Sequence, residues 1–200
     1  MATTAGRAGN KRGFGSNLRE EIVSAASRLL EESGSRESVT LRAIAREAGI
    51  AAPSIYAHFS DRDAILDIVV TRTFETLGAH CAAALDLSKP GREQVEAISV
   101  AYVAFAREQP GLYRILFERS AANTAASPHP YAAGTQAFDV LIKAVTRAST
   151  VAADPETVVR DAQTLFAALH GIAVLRPALP GFPWQSETAL VQNAVASICS

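Results

Sequence analysis

The amino-acid sequence predicts an all-α protein in which a three-helix head is joined by one long helix to a larger helical body. Apolar residues recur at helical spacing along most of the 200 residues, which indicates about nine helices. No segment alternates apolar and polar residues as a half-buried strand does, and no Asn-Gly pair marks a hairpin. Because 48% of the residues are apolar, the chain can bury a substantial core.

The head begins with an amphipathic helix over about 16–34, where apolar residues fall at i, i+3, i+4, i+7 and i+8. A second, short helix covers about 41–48, with Thr40 as its N-cap. Gly49 follows this helix. The turn at this point requires a positive φ, which is unfavourable for any residue with a Cβ. A third helix covers about 52–58 and has a proline in its first turn, where the missing N–H costs nothing.

A long helix capped by Asp61 then leads from the head into the body and ends near residue 85. Residues 120–131 predict a loose connection, and Pro177 predicts a break. The remaining predicted helices cover about 92–108, 110–118, 132–150, 154–176 and 186–198. The sequence therefore predicts three regions, which are a flexible basic arm (1–16), the head (17–77) and the body (78–200).

Composition narrows the classes of function. The net charge is −1, and residues 1–62 carry nine Lys or Arg against seven Asp or Glu, whereas residues 63–200 carry ten against thirteen. This balance argues against a protein that coats nucleic acid indiscriminately, although its direction suits a head that faces DNA. Cys81 and Cys199 are too few and too far apart for a disulfide framework. The sequence has no signal-peptide core and no apolar run of the ~18 residues that cross a bilayer, so we expect a cytoplasmic protein without a membrane segment.

Enzymatic and metal chemistry are not indicated by the motifs. The sequence contains no Gly-x-Ser-x-Gly elbow, no phosphate-cradling glycine-rich loop and no His-Glu-x-x-His pair. Its four histidines do not combine with cysteines or carboxylates at metal-binding spacing. We therefore expect no catalytic residues, no metal and no cofactor.

Residues 40–59 have the pattern of a helix-turn-helix, whose second helix lies in the major groove of DNA. Small side chains at the start of that helix would approach the base edges, and these are Ala51, Ala52 and Ser54. Phosphate contacts are expected from polar and aromatic side chains around the turn, namely Thr40, Arg42, Tyr56, His58 and Arg62. Each of these residues alone could be an ordinary surface residue, but their combined spacing favours a DNA-binding surface.

The residues around this motif resemble the head of the TetR-type transcriptional regulators. The resemblance covers about residues 17–77 and rests on Leu41-Arg42-Ala43-Ile44-Ala45-Arg46-Glu47-Ala48-Gly49-Ile50, Ser54-Ile55-Tyr56-Ala57-His58-Phe59 and Arg62-Asp63-Ala64-Ile65-Leu66. That family usually has Ser or Thr where Ala51 stands, as the cap of the recognition helix, and Lys where Arg62 stands. The cationic contact is therefore retained here, whereas the helix cap is missing.

Part of the body resembles a TetR subgroup named for a Trp-His-Gly signature. The similar segments are residues 105–117 and Leu169-His170-Gly171, in which Leu169 stands where the namesake has Trp. The resemblance implies a homodimer whose last two long helices form a four-helix interface, and a small effector that changes DNA binding. It thus favours a dimeric repressor that an effector releases from a near-palindromic, double-stranded operator. A TetR-like activator, a regulator without a ligand and a helical protein-interaction module are the alternatives.

The body sequence offers candidate residues for both the dimer interface and the effector pocket. A helical stripe that could pair between subunits contains Leu165, Phe166, Leu169, Ile172, Leu190 and Ala194. Aromatic side chains and one histidine could line the pocket, namely Tyr102, Phe105, Tyr113, Phe117, Phe138 and His170. Few charged residues share these faces, which favours a largely apolar effector. Both sets could instead form only the core of the body, and one helix can serve both purposes on its two sides.

Overall fold

The structure, a computed structural model, describes residues 14–118, 128–149 and 154–198. These residues form nine helices and no strand. The helices are α1 (Phe14–Ser33), α2 (Leu41–Glu47), a 3₁₀ helix (Ala52–Ala57), α3 (Arg62–Ala83), α4 (Gly91–Glu108), α5 (Pro110–Phe117), α6 (Pro128–Ala148), α7 (Pro155–Ala178) and α8 (Glu187–Ala196). The predicted all-helical fold class is confirmed. The predicted basic arm lies outside the described residues as far as residue 13, and α1 already begins at Phe14.

The chain divides into two compact units, an N-terminal unit (Met1–Val69) and a C-terminal unit (Val70–Ser200). Helix α3 begins in the first unit and ends in the second, so it is the covalent connection between them.

The N-terminal unit has a small core shared by its four helical segments. In this unit α1 packs against α2, and α2 packs against the 3₁₀ helix. The side chains in the core are aliphatic or aromatic and almost fully buried, namely Ile22, Ala26, Leu30, Val39, Ile44, Ile55, Phe59, Ile65 and Leu66. An ion pair between Arg28 Nε and Glu47 Oε1, 2.7 Å apart, joins α1 to α2 at the surface.

The C-terminal unit is built around α4, which packs against α5, α6, α7 and α8. Phe105, Leu165 and Leu169 are almost completely buried in this unit. The start of α4 approaches the end of α6 so closely that a Cβ on Gly91 would lie 2.4 Å from the carbonyl oxygen of Arg147. A glycine is therefore required at this position for the two helices to meet.

Three helices differ in detail from the sequence-based prediction. The third helix of the head is a 3₁₀ helix, in which Ser54 N–H donates to the carbonyl of Ala51 at 2.9 Å. Helix α6 begins at Pro128, inside the segment predicted as a loose connection, because a proline in the first helical turn forfeits no intrahelical hydrogen bond. Helix α7 continues through Pro177 to Ala178, and the Leu179 N–H closes its last turn on the carbonyl of Leu175.

Candidate functional site

The turn between α2 and the 3₁₀ helix is specified by local hydrogen bonds and one glycine. Thr40 has an extended backbone (φ −98°, ψ 158°), and its hydroxyl oxygen accepts the Ala43 N–H at 3.1 Å, as an N-cap does. Gly49 has a φ of +67°, the left-handed conformation that the sequence predicted. The Ile50 N–H then donates to the carbonyl of Ala45 at 2.9 Å, which closes α2 and reverses the chain.

The 3₁₀ helix, which we call the recognition helix, is held on its inner face only. Ile55 and Phe59 are 0% and 5% exposed and anchor it to the core of the N-terminal unit. Its N-cap residue, Ala51, has no side chain that can accept a hydrogen bond, so its first turn is uncapped. On the outer face Tyr56 is 64% exposed, so both its ring and its hydroxyl are accessible to a partner.

All the residues predicted to contact DNA lie on or beside these short helices of the N-terminal unit. Four are exposed, namely Thr40, Arg42, Ala51 and Tyr56, and four are half-buried, namely Ala52, Ser54, His58 and Arg62. The set combines small side chains at the start of the recognition helix with polar and aromatic groups around it. Such a surface can touch base edges with methyl and hydroxyl groups while binding phosphates on either side.

The guanidinium of Arg62 is turned back onto a carboxylate of its own chain. Its Nε and Nη2 donate to Asp63 Oδ1 at 3.2 and 3.0 Å, and its Nη1 reaches the carbonyl oxygen of Arg36 at 3.5 Å. The side chains of Arg62 and Asp63 are both 36% exposed. A phosphate that binds Arg62 must therefore compete with the carboxylate of Asp63.

We expect Asp63→Asn to strengthen DNA binding by about two- to fivefold, since exposed ion pairs contribute up to about 1 kcal/mol. The measurement is fluorescence anisotropy with a selected DNA site at fixed salt. Asp161→Asn, which removes the half-buried carboxylate beside Arg160 in the C-terminal unit, is the matched control and should leave the affinity unchanged. Equal affinities for the wild type and Asp63→Asn would mean that Asp63 does not compete for Arg62.

Arg36, in the loop between α1 and α2, is a buried residue that the sequence did not predict. It is only 7% exposed, and its Nη2 lies 3.8 Å from Asp67 Oδ1 on α3 without a hydrogen-bond partner in the described residues. Its backbone carbonyl is the one that accepts from Arg62. Arg36 therefore connects the α1–α2 loop to the start of α3, beside a predicted phosphate contact. An arginine between two serine-rich stretches gave no periodic signal of burial.

The missing cap can be restored by substitution. Ala51→Ser should stabilise the N-terminal unit by about 1 kcal/mol, because a serine hydroxyl at an N-cap accepts an orphan backbone N–H. Hydrogen exchange of the core amides in this unit measures the change. Ala57→Ser, at the other end of the recognition helix, should give no gain, and an equal gain from both substitutions would contradict a capping effect.

Five of the six predicted pocket residues meet in one aromatic cluster of the C-terminal unit, centred on Phe166. The Phe166 ring lies 5.8 to 6.1 Å, between centroids, from the rings of Tyr102, Phe117, Phe138 and His170. Tyr113 joins the cluster through Phe117, 5.3 Å away. The sixth residue, Phe105, packs instead on the ring of His80 at 5.9 Å.

Polar atoms are enclosed within this cluster. The hydroxyl oxygens of Tyr102 and Tyr113 are 2.7 Å apart, and that of Tyr113 lies 2.8 Å from Nδ1 of His170. Burial raises the pKa of both tyrosines, so their hydroxyls stay protonated. Burial lowers the pKa of His170, because it penalises the imidazolium more than the neutral ring.

The lowered pKa of His170 predicts a loss of stability in acid. In the unfolded chain His170 has the ordinary histidine pKa of 6.5 and binds a proton more readily than in the folded chain, so this contribution is complete above pH 6.5 and is lost as pH falls below it. We expect the thermal midpoint to fall between pH 7.5 and about 5.5, and to fall less in His170→Phe. Differential scanning calorimetry gives both profiles, and parallel profiles would exclude His170 as the source.

The structure distributes the predicted interface residues between the core and the surface. Leu165 and Leu169 are 1% and 0% exposed within the chain itself, and Phe166 lies in the aromatic cluster. Ile172, Leu190 and Ala194 are half-buried. The outer face of α7 carries other apolar residues that are open to solvent, including Val159, Val174 and Leu175.

The outer face makes α7 an unusually apolar helix. Among the described residues it alone is long and apolar enough to cross a membrane, with a mean hydropathy of 1.3 over its best window, of which 28% is buried. The sequence predicted no segment of this kind. Length and composition are weak evidence for a membrane span, and the same features suit a helix that packs against a partner helix.

Within residues 14–118, 128–149 and 154–198, no three His, Cys, Asp or Glu side chains come together. Cys81 is buried, and burial raises the pKa of its thiol to about 12. Cys199 lies outside the described residues.

Two family models match the chain over both units. The family described as bacterial regulatory proteins, tetR family, matches residues 22–69, and the tetracyclin repressor-like C-terminal domain matches residues 95–197. A curated relative, the nucleoid occlusion factor SlmA of Vibrio vulnificus, is 29% identical over 109 residues, which are 54% of each chain. The chain thus spans about half the length of the curated relatives it matches.

Solved structures share the fold over almost the whole chain. A protein of unknown function from Rhodococcus sp. RHA1 is 27% identical with a TM-score of 0.75, covering 98% of this chain and 97% of that one. A TetR family transcriptional regulator from Vibrio parahaemolyticus is 20% identical with a TM-score of 0.67, covering 90% and 96%. FadR from Bacillus subtilis, solved in complex with stearoyl-CoA, is 14% identical with a TM-score of 0.69, covering 90% and 97%. The two family matches show that the chain belongs to the TetR family of DNA-binding transcriptional regulators.

Proposed function

We propose that this regulator is a cytoplasmic, dimeric repressor that a small, largely apolar effector releases from a near-palindromic operator. The observation that carries the DNA-binding part is the surface around the turn at Gly49. There, an exposed Tyr56 and the cations Arg42 and Arg62 flank the small side chains of the recognition helix. Phosphate contacts by these groups fix the register, and base-edge contacts supply part of the specificity.

The recognition helix offers few groups that can contact bases directly. Ala51 and Ala52 offer only methyl groups, and Ser54 offers one hydroxyl that can pair with several bases. Sequence-dependent DNA shape must then contribute to specificity at positions that no side chain touches.

A homodimer is supported by the exposed apolar face of α7. Val159, Val174 and Leu175 are 37%, 40% and 46% exposed, and Ala167 and Gly171 between them are small enough for close helix packing. We place the centre of the interface on this outer face rather than on Leu165 and Leu169, which the chain buries itself. Ile172, Leu190 and Ala194, which are half-buried, remain at its margin.

The aromatic cluster around Phe166 supports an effector site in the C-terminal unit. It combines large apolar surface with a few enclosed polar atoms, which is the usual composition of a small-molecule site. An effector that binds one arrangement of this unit better than another would shift the population of α3 positions and with it the spacing of the two DNA-binding surfaces.

Selection of bound DNA from a random pool, with purified protein at ~100 mM salt, tests the proposal. We expect near-palindromic sites whose halves lie about 34–36 Å apart, or a multiple of that distance. Asymmetric sites would contradict the dimer, and the absence of any enriched sequence would contradict the DNA-binding function itself.

Two variants assign the selected site to the proposed surface. Tyr56→Phe and Arg62→Ala should weaken DNA binding while the circular dichroism spectrum stays unchanged, and the affinity of the wild type for DNA should fall as salt rises. If the protein were instead a helical protein-interaction module, its affinity for its partner would not fall steeply as salt rises, because an apolar protein interface depends little on salt. Normal DNA binding by both variants would move the phosphate contacts to other residues.

A further inference from the structure

Three side chains from three helices form one hydrogen-bonded chain in the C-terminal unit. It runs from Tyr102 on α4 to Tyr113 on α5 (hydroxyl oxygens 2.7 Å apart), and on to Nδ1 of His170 on α7 (2.8 Å). These are the only side-chain hydrogen bonds of the three residues within the described parts of the chain. The direction in which the protons point along it decides what His170 can offer to a ligand.

Burial of the far end fixes that direction. If Nδ1 accepts, Tyr102 donates to Tyr113, Tyr113 donates to His170, and both hydroxyl protons are bonded. If Nδ1 carries a proton, the Tyr113 oxygen accepts it, and the hydroxyl proton of either Tyr102 or Tyr113 is left without an acceptor among the described residues. Because the two tyrosines are only 7% and 3% exposed, that proton could not be solvated freely, and an unsatisfied buried donor is costly. The arrangement with Nδ1 as the acceptor is therefore favoured.

A neutral His170 in this arrangement carries its proton on Nε2. The ring is only partly buried, and its Nε2 has no hydrogen-bond partner in the described residues. Phe117 lies 4.4 Å from the ring centroid at a T-shaped angle, and Phe166 stacks 6.1 Å away. The C-terminal unit thus presents one N–H donor surrounded by aromatic rings.

We propose that the Nε2–H of His170 binds the polar end of the effector and that this end is a neutral hydrogen-bond acceptor, such as a ketone, ester or lactone oxygen on an apolar molecule. The inference rests on the proposed effector site. A carboxylate would lose its hydration against aromatic faces, which carry negative partial charge. An ammonium has no lone pair with which to accept the N–H. A neutral acceptor satisfies the donor without either cost.

Nitrogen NMR of the full chain with ¹⁵N-labelled histidine tests the proton arrangement. At pH 7.5 we expect His170 in the Nε2–H form in the wild type. Tyr113→Phe removes the hydroxyl that bonds Nδ1, so the tyrosines no longer favour either form and a mixture of the two neutral forms should appear. A wild-type His170 with the proton on Nδ1, or a Tyr113→Phe variant that stays wholly in the Nε2–H form, would overturn the argument.

Three probes of equal chain length test the ligand class by isothermal titration calorimetry, namely 2-nonanone, nonanoate and nonylamine. The ketone should bind at least tenfold more tightly than the two ions and should shift the His170 Nε2 signal. His170→Phe should remove that preference, whereas His80→Phe, at an exposed histidine beside Phe105, should keep it. Tighter binding of either ion, or an affinity for the ketone that is the same in the wild type and in His170→Phe, would contradict the proposal.

The two proposals fail in different ways. Enrichment of a palindromic DNA site without binding of any probe would reject the neutral-acceptor site and leave the regulator intact. Ketone binding by a protein that selects no DNA would reject the regulatory function and leave the ligand site standing.

Discussion

Leu165→Asp is expected to unfold the C-terminal unit, whereas Val174→Asp is expected to leave it folded and to turn dimers into monomers. The two residues lie on the same helix, α7, but Leu165 is 1% exposed and Val174 is 40% exposed. Burying a carboxylate at position 165 adds a desolvation cost to the about 2–5 kcal/mol that truncation of a buried leucine removes. At position 174 the carboxylate stays hydrated in the monomer and is buried only in the proposed dimer.

Light scattering coupled to gel filtration gives the mass, and circular dichroism gives the helix content. Val100→Asp, at a 48% exposed valine on α4, is the control and should remain a folded dimer. A folded monomer from Leu165→Asp would return the interface to the inner stripe of α7, and a folded dimer from Val174→Asp would remove it from the outer face.

Asp67→Ala is expected to destabilise the N-terminal unit by about 3 kcal/mol, because removing this half-buried carboxylate leaves the buried charge that faces it uncompensated. That other charge belongs to Arg36, which is 7% exposed and lies 3.8 Å from the Asp67 carboxylate. Hydrogen exchange of the α2 amides, which report opening of this unit, measures the loss. DNA affinity should fall with it, since the Arg36 loop also contacts Arg62.

The double variant Arg36→Met, Asp67→Leu separates charge from packing. It replaces both ions by apolar side chains of similar size, and such replacements of buried pairs are often neutral or stabilising. We expect it to recover most of the stability lost in Asp67→Ala. A double variant as unstable as the single one would show that Arg36 acts through its shape or its hydrogen bonds and not through its charge.

Local chemistry explains which features the sequence could predict. The positive φ of Gly49 and the cap at Thr40 follow from one or two neighbouring residues, and both predictions were confirmed. The position of the recognition helix was predicted correctly. Its 3₁₀ form depends on how Ile55 and Phe59 pack in the core, and the spacing of apolar residues in the sequence carries no information about that packing.

Features that depend on two distant segments were harder to predict. Burial of Arg36 needs an aspartate on α3, thirty-one positions away, and no local pattern links the two. Phe166 fits an interface stripe and an aromatic cluster equally well on a helical wheel, and only the positions of α4, α5 and α6 place it in the cluster. The two tyrosines and His170 were each predicted near a pocket, whereas their hydrogen-bonded order could not be read from spacing.

The contact between Arg62 and Asp63 bears on how binding responds to ions in solution. Affinity for DNA falls with salt because each protein cation that meets a phosphate releases a condensed counterion, with a slope of about −0.9 per contact for duplex DNA. Arg62 is already neutralised by a carboxylate 3.0 Å away, and when a phosphate takes its place that carboxylate recruits a cation from solution. The net release at this position is then close to zero, so the protein should tolerate changes in ionic strength better than a count of its phosphate-facing cations would suggest.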